Sequence, residues 1–218
     1  RHGGNYNSIL SKRMAQADGT RTARFSLSWA WALAFCLLIA IRLPSLVQPA
    51  GGDQFLYSYV AERTLDGGIP YRDAFEQKTP GVFAIYAVMW GLWPHESVVA
   101  AADVLAAILT AAFLAGLGRR MFGGYAGWGT AALYLLLGDP GIQRLAGLNV
   151  RAQCETFVAL TVTAAIAVAW TSRGRTGRLL LAGVLSGVAV WLKYNAVVYA
   201  LPIALAALAS TEATARTR

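Results

Sequence analysis

Seven apolar runs divide this chain: Phe25–Leu43, Val82–Trp93, Val98–Leu117, Tyr125–Leu137, Phe157–Trp170, Leu179–Leu192 and Ala196–Ala209. A backbone that crosses hydrocarbon needs roughly 20 apolar residues and must satisfy its own polar groups, so runs of this kind predict membrane helices. Apolar residues make up 56% of the chain and charged residues only 14%, at a mean hydropathy of +0.48. That balance excludes an ordinary soluble domain. Phe25–Leu43 ends at Pro44 and Pro49, and with no small-residue cleavage site after it reads as a retained anchor. Val98–Leu117 is a clear span, and Phe157–Trp170 completes one begun near Ala152.

The basic residues settle an orientation. Val82–Trp93 is short for a crossing, and counting it as one would put Arg119, Arg120 and the Arg173–Arg178 cluster outside. Laid along the interface instead, with Trp90 and Trp93 at headgroup level, it leaves every basic cluster inside. Residues 1–24, 118–124, 171–178 and 210–218 then hold 12 of the 19 Lys and Arg and carry +10, while the remainder carries −2. The expected fold is all-α: a polytopic transmembrane bundle of about six spans whose outer loop bears interfacial helices. Residues 1–24 and 210–218 are expected to be cytoplasmic tails around a transmembrane domain, 25–209, with its first outer loop at 44–97. The expected location is a plasma or inner membrane, as an integral, multi-pass protein.

Several function classes drop out. The net charge of +8 lies in short clusters between apolar runs, without the aromatic-interleaved basic patch of a nucleic-acid binder. His2 and His95 give no metal-binding cluster, and Cys36 and Cys154, both in or beside apolar runs, read as buried thiols. Gly183 and Gly187, four residues apart, read as a close-packing stripe.

Chemistry concentrates in Gly51–Gly81, where Asp53, Glu62, Asp66, Asp73, Glu76 and Lys78 crowd beside an apolar run. Charge at a membrane boundary is costly and marks a candidate site. Asp53 is placed to accept a proton from an attacking hydroxyl, or equally to cap the helix expected over Gln54–Leu65. Lys78 is suited to a phosphate anion, with Glu76 beside it, or to snorkelling at the interface. Asp73 either contributes to binding or closes a turn with Arg72. Glu155 lies just inside the fourth span, where an acid needs a polar cavity, and Lys193 marks a comparable outer end. Arg151 and Arg144 add positive charge before Glu155, for an anionic substrate or for solvent. Asp103, inside the second span, has no partner legible in the sequence.

Together these motifs resemble a known family. An Asp after the first span, then Ala61-Glu62-Arg63-x-Leu65-x-Gly67-Gly68-x-Pro70-Tyr71-Arg72-Asp73, then Lys78-x-Pro80 before an aromatic helix, is similar to the first outer loop of GT-C membrane glycosyltransferases. It looks like the branch of dolichyl-phosphate-mannose protein mannosyltransferases and bacterial aminoarabinose-type lipid A transferases. Gly118–Gly123, the Glu155 segment and Ser186-Gly187…Trp191-Leu192-Lys193-Tyr194 extend the resemblance over roughly residues 25–205. It implies inverting transfer of a sugar from a polyprenyl-phosphate donor to an extracytoplasmic glycan, lipid or protein of the cell envelope. By resemblance Asp53 is the acid that orients or deprotonates the acceptor, Lys78 the donor-phosphate contact and Glu155 the second-loop acid. The partners implied are membrane lipid and a lipid-linked sugar donor, with no nucleic acid. No cofactor is firmly implied; a divalent cation stays open but unsupported by any residue. Lys78-Thr79-Pro80 departs from the family's Lys-Pro-Pro, and family enzymes are longer, so this chain is expected to be their N-terminal half. A transporter or flippase of lipid-linked sugars and a non-catalytic membrane scaffold are the alternative readings.

Overall fold

The apolar runs become helices of uneven length. A computed structural model describes residues 31–145, 147 and 151–216, with side chains through residue 212. It divides into two compact units, residues 1–38 and 39–218. In the first, residues 31–38 are helical and Cys36 is exposed, so the burial expected of that thiol is not found. A small apolar side chain on the outer face of such a helix suits lipid. The basic tail and the run from Phe25 to Ala30 lie outside the described residues.

Helix α1 (Trp31–Val47) tightens into a 3₁₀ turn over Leu43–Val47, where Pro44 supplies no N–H. α2 (Asp53–Leu65) and α3 (Pro80–Leu92) form the loop region; Pro80 opens α3 at a position whose N–H would find no helical partner. α4 (Ser97–Phe122) and α5 (Gly124–Leu137) make an antiparallel pair turning at Gly123, whose φ of 97° suits a residue without Cβ. After the short α6 (Pro140–Leu145) come α7 (Cys154–Trp170), α8 (Thr176–Leu192), a 3₁₀ stretch over Tyr194–Tyr199 and α9 (Ala200–Arg216). Among the described residues there is no strand.

α4 packs against α5 and α7, and α7 packs against α8 and α9. The larger core joins Tyr57, Val82, Phe83 and Tyr86 of the loop helices to Val99, Phe157, Val162 and Leu192 of the long ones. A smaller one, built on Ala165, Ala169, Ala182, Ile203 and Ala206, holds α7, α8 and α9 together. Small residues bring backbones together at Gly118 and Gly127, where a Cβ on Gly118 would lie 2.9 Å from the Gly127 Cα. The Gly183–Gly187 stripe does not serve this purpose, since both glycines face open space. The outer faces carry exposed Leu180, Val184, Leu201, Leu205 and Leu208, a surface matched to hydrocarbon.

Two helices among the described residues are long and apolar enough to cross a bilayer, Ser97–Phe122 and Tyr194–Glu212. The six full spans expected from sequence are therefore not all found. α7 and α8 have 17 residues each, about 26 Å at ~1.5 Å per residue, a little short of a hydrocarbon core of about 30 Å. They run antiparallel, so Glu155 and Lys193 meet at one end while Arg173 and Arg175 lie at the other. After replacement of Cys36 and Cys154, a membrane-impermeant thiol reagent added outside should label Asp73→Cys and not Arg175→Cys. The reverse pattern would invert the orientation.

Candidate active site

The site rests on a buried polar network. Asp103 of α4 is 2% exposed; it accepts hydrogen bonds from the Ala152 N–H at 2.8 Å and the Thr156 hydroxyl at 3.1 Å, and Arg42 lies 3.5 Å away. The Arg42 guanidinium also donates to the Leu135 and Gly138 carbonyls, at 3.4 and 2.6 Å. A buried carboxylate is tolerated when charge and donors surround it, as here. The partner that sequence reading could not find for Asp103 is therefore Arg42, far away along the chain.

Ala152 sits at φ 49°, an uncommon backbone for a residue with a Cβ. Its N–H is held by Asp103 and its C=O by the Tyr86 hydroxyl at 2.9 Å, so both polar groups enforce the turn that starts α7. Arg151 precedes it and is only 4% exposed, donating to the carbonyls of Ser45, Gln48 and Pro49 and to the Gln54 side chain. Gln54 returns a hydrogen bond to the Arg151 carbonyl. The positive charge expected in a substrate-facing loop is spent inside, tying the end of α1 and the start of α2 to α7.

On this base stand two acid–lysine pairs. Asp53 lies 3.6 Å from the Lys78 ammonium, and Glu155 forms an ion pair with Lys193. Asp53 is the first residue of α2, but the cap position is Gly52 and no side-chain cap bond forms, so the capping reading fails. The carboxylate instead accepts the Tyr57 hydroxyl at 3.2 Å, one helical turn on. Tyr57 is 1% exposed, accepts the Cys154 thiol at 3.7 Å and stacks edge-on against Phe83 and Tyr86. Burial, reinforced by Cys154 and Asp53, pushes its phenol far above the ordinary range, so it stays protonated and donates.

Lys78 is aimed by its neighbours. The Tyr71 hydroxyl donates to the Lys78 carbonyl at 2.8 Å, and the Thr79 hydroxyl to the carbonyl of Leu192. Thr79 stands where the resembling family has proline, and its hydroxyl supplies an anchor that proline lacks. Gly81 then meets the end of α8: a Cβ there would lie 2.5 Å from the Trp191 carbonyl oxygen. This close approach brings Lys78 beside the segment carrying Lys193. Below the junction opens a cavity of about 430 Å³, lined by apolar residues of α3, α4, α7 and α8 that include Val88, Leu109, Phe157 and Trp191.

The other expected residues stand apart. Asp73 pairs with exposed Arg72 at 2.7 Å and accepts the Ile69 N–H at 2.8 Å; the Arg72 guanidinium, followed by that N–H, holds its carboxyl down at about 2. It closes a turn. Glu76 is half-buried beside Lys78 and forms no hydrogen bond or ion pair among the described residues. No group of three metal-ligating side chains occurs among the described residues. Tyr57 was not singled out in the sequence, although its place four residues after Asp53 in a helix is a readable signal.

A family model described as dolichyl-phosphate-mannose-protein mannosyltransferase matches residues 77–218, more than half of the chain. No curated protein and no solved structure matches.

Two outcomes follow from this geometry. Asp103→Asn leaves the buried Arg42 charge unanswered and should destabilise the chain by about 3–5 kcal/mol, read as an earlier thermal unfolding midpoint in detergent. Gly81→Ala forces α3 away from α8 at a cost of about 1–3 kcal/mol, and should weaken any anion binding that needs both lysines. An unchanged midpoint in either variant would contradict the corresponding contact.

Proposed function

The chain belongs to the dolichyl-phosphate-mannose-protein mannosyltransferase family of membrane glycosyltransferases, and from that premise we propose that it moves a sugar from a polyprenyl-phosphate donor to an acceptor at the extracytoplasmic face. The observation that carries this reading is the Asp53–Lys78 pair, 3.6 Å apart at a loop edge near the apolar cavity. Lys78 holds the donor phosphate while the isoprenoid chain lies in the cavity. Asp53, held by Tyr57, takes the proton from the acceptor as its oxygen attacks the anomeric carbon. The bond from that carbon to the phosphate oxygen breaks on the opposite side, which inverts the centre. The leaving phosphate gains negative charge, and cations already in position stabilise it. Lys193 adds a second cation there, Glu155 is the second acid and Glu76 is a further acid two residues before Lys78. Arg151 and Asp73 have structural duties and are left out of the reaction.

The acceptor is a glycan, lipid or protein of the cell envelope. A carrier of lipid-linked sugars would call for charges or broken helices near mid-membrane. Asp103, the charge inside α4, bonds instead to Ala152 and Thr156 at the same end of the bundle as Glu155. That position favours transfer over transport.

Transfer of labelled sugar from a polyprenyl-phosphate donor to membrane acceptors tests this reading. Asp53→Asn should lower the rate by about 10²–10⁴ while leaving the unfolding midpoint in place. Lys78→Ala should weaken donor binding by about tenfold or more, the scale of a charge-assisted hydrogen bond. Full turnover in Asp53→Asn would remove it from the mechanism, and unchanged donor affinity in Lys78→Ala would remove the phosphate contact.

A further inference from the structure

Both lysines of the site are already occupied. Lys78 faces Asp53 and Lys193 faces Glu155, so the four charges sum to zero. None of the four is buried: their side chains keep between 31% and 63% of their surface exposed. Ion pairs this open to water are weak and exchange partners readily. The two pairs also flank one backbone junction, where Thr79 bonds to the Leu192 carbonyl and Gly81 meets Trp191. Lys78 precedes Thr79 and Lys193 follows Leu192 in the chain, so this one contact sets the two pairs side by side. Trp191, at this junction, is also part of the apolar cavity wall.

We propose that Asp53 and Glu155 stand in for the phosphate of a polyprenyl phosphate, forming a latch that the lipid headgroup opens by taking both ammonium groups. This inference rests on the donor reading above and assigns its regulation. With the lipid absent, Lys78 engages the Asp53 carboxylate, and the base is withheld. With the headgroup seated, Lys78 and Lys193 turn to the phosphate. Asp53 keeps only its hydrogen bond from Tyr57 and is free to face an acceptor hydroxyl. Donor binding therefore precedes base activation. The same exchange serves the reaction itself, because the phosphate that leaves is a monoester carrying about −1.5 to −2. It meets two cations no longer neutralised by carboxylates, so the interaction grows as charge develops.

The latch makes a prediction opposite to that for acids that help to hold the ligand. Native mass spectrometry of the full chain, titrated with undecaprenyl phosphate, reads it directly, with undecaprenol and inorganic phosphate as separate arms. Glu155→Gln should bind undecaprenyl phosphate about two- to fivefold tighter than the wild type, the scale of one surface ion pair. The gain should vanish in a Lys193→Ala background and be absent with undecaprenol. Asp53→Asn should give a similar gain that depends on Lys78, a second route to the same answer should Glu155→Gln fold poorly. A parallel gain with inorganic phosphate would support exchange at the anion itself, whereas a gain with inorganic phosphate alone would overturn the lipid assignment. Unchanged or weaker binding in both acid variants would overturn the latch while leaving the donor reading standing. Wild-type chain that binds undecaprenyl phosphate no better than undecaprenol would overturn the donor reading, and the latch with it.

Discussion

A carboxylate taken out of water inside an apolar helix must be answered by charge and by donors, and the answer to Asp103 organises this protein. Its partners come from three separate places: Arg42 at the end of α1, the Ala152 backbone before α7, and Thr156 in the first turn of α7. Satisfying one buried charge therefore fixes the relative positions of the segment around Arg42, α4 and α7. Arg42 extends the network to the end of α5 through two carbonyls. Arg151, held by the α1–α2 connection and Gln54, closes it on the other side. Breaking either arginine's contacts would strand a charge away from water, which is why such networks hold geometry better than a surface pair does.

The residues with chemistry are held differently. Asp53, Lys78, Glu155 and Lys193 are half-exposed and meet in pairs that water can separate. Their backbones, by contrast, are tightly set: Ala152 by Asp103 and Tyr86, Lys78 by Tyr71 and the Thr79 anchor, α3 by the absence of a Cβ at Gly81. A rigid frame with loosely paired side chains suits a site that must admit a charged headgroup and then rearrange around it. Tyr57 bridges both regimes, buried among aromatic rings yet reaching Asp53 with its hydroxyl.

Much of this was legible from residue order. Apolar runs predicted helices, breaks at Gly and Pro predicted their ends, and charge beside an apolar run pointed to Asp53 and Lys78. What misled was charge considered without depth. Arg151 reads as a loop cation, and its burial depends on carbonyls of residues 45–49 that no spacing rule brings near it. Gly183 and Gly187 have the spacing of a packing stripe, but Gly118 and Gly127 make the close contact. Spacing gives the face of a helix and does not say which helix lies against it.

The sequence by itself determined that the chain is helical, that its surface suits hydrocarbon and that its acids and cations gather in one loop region and at span ends. These follow from composition and periodicity, which act along the chain. Tertiary structure alone decided the pairing of Asp103 with Arg42, of Lys78 with Asp53 and of Lys193 with Glu155. Each links residues far apart in the chain: desolvation selects the buried Asp103–Arg42 pair, and close packing of the backbones brings the two exposed pairs together, neither of which exists until the helices have met.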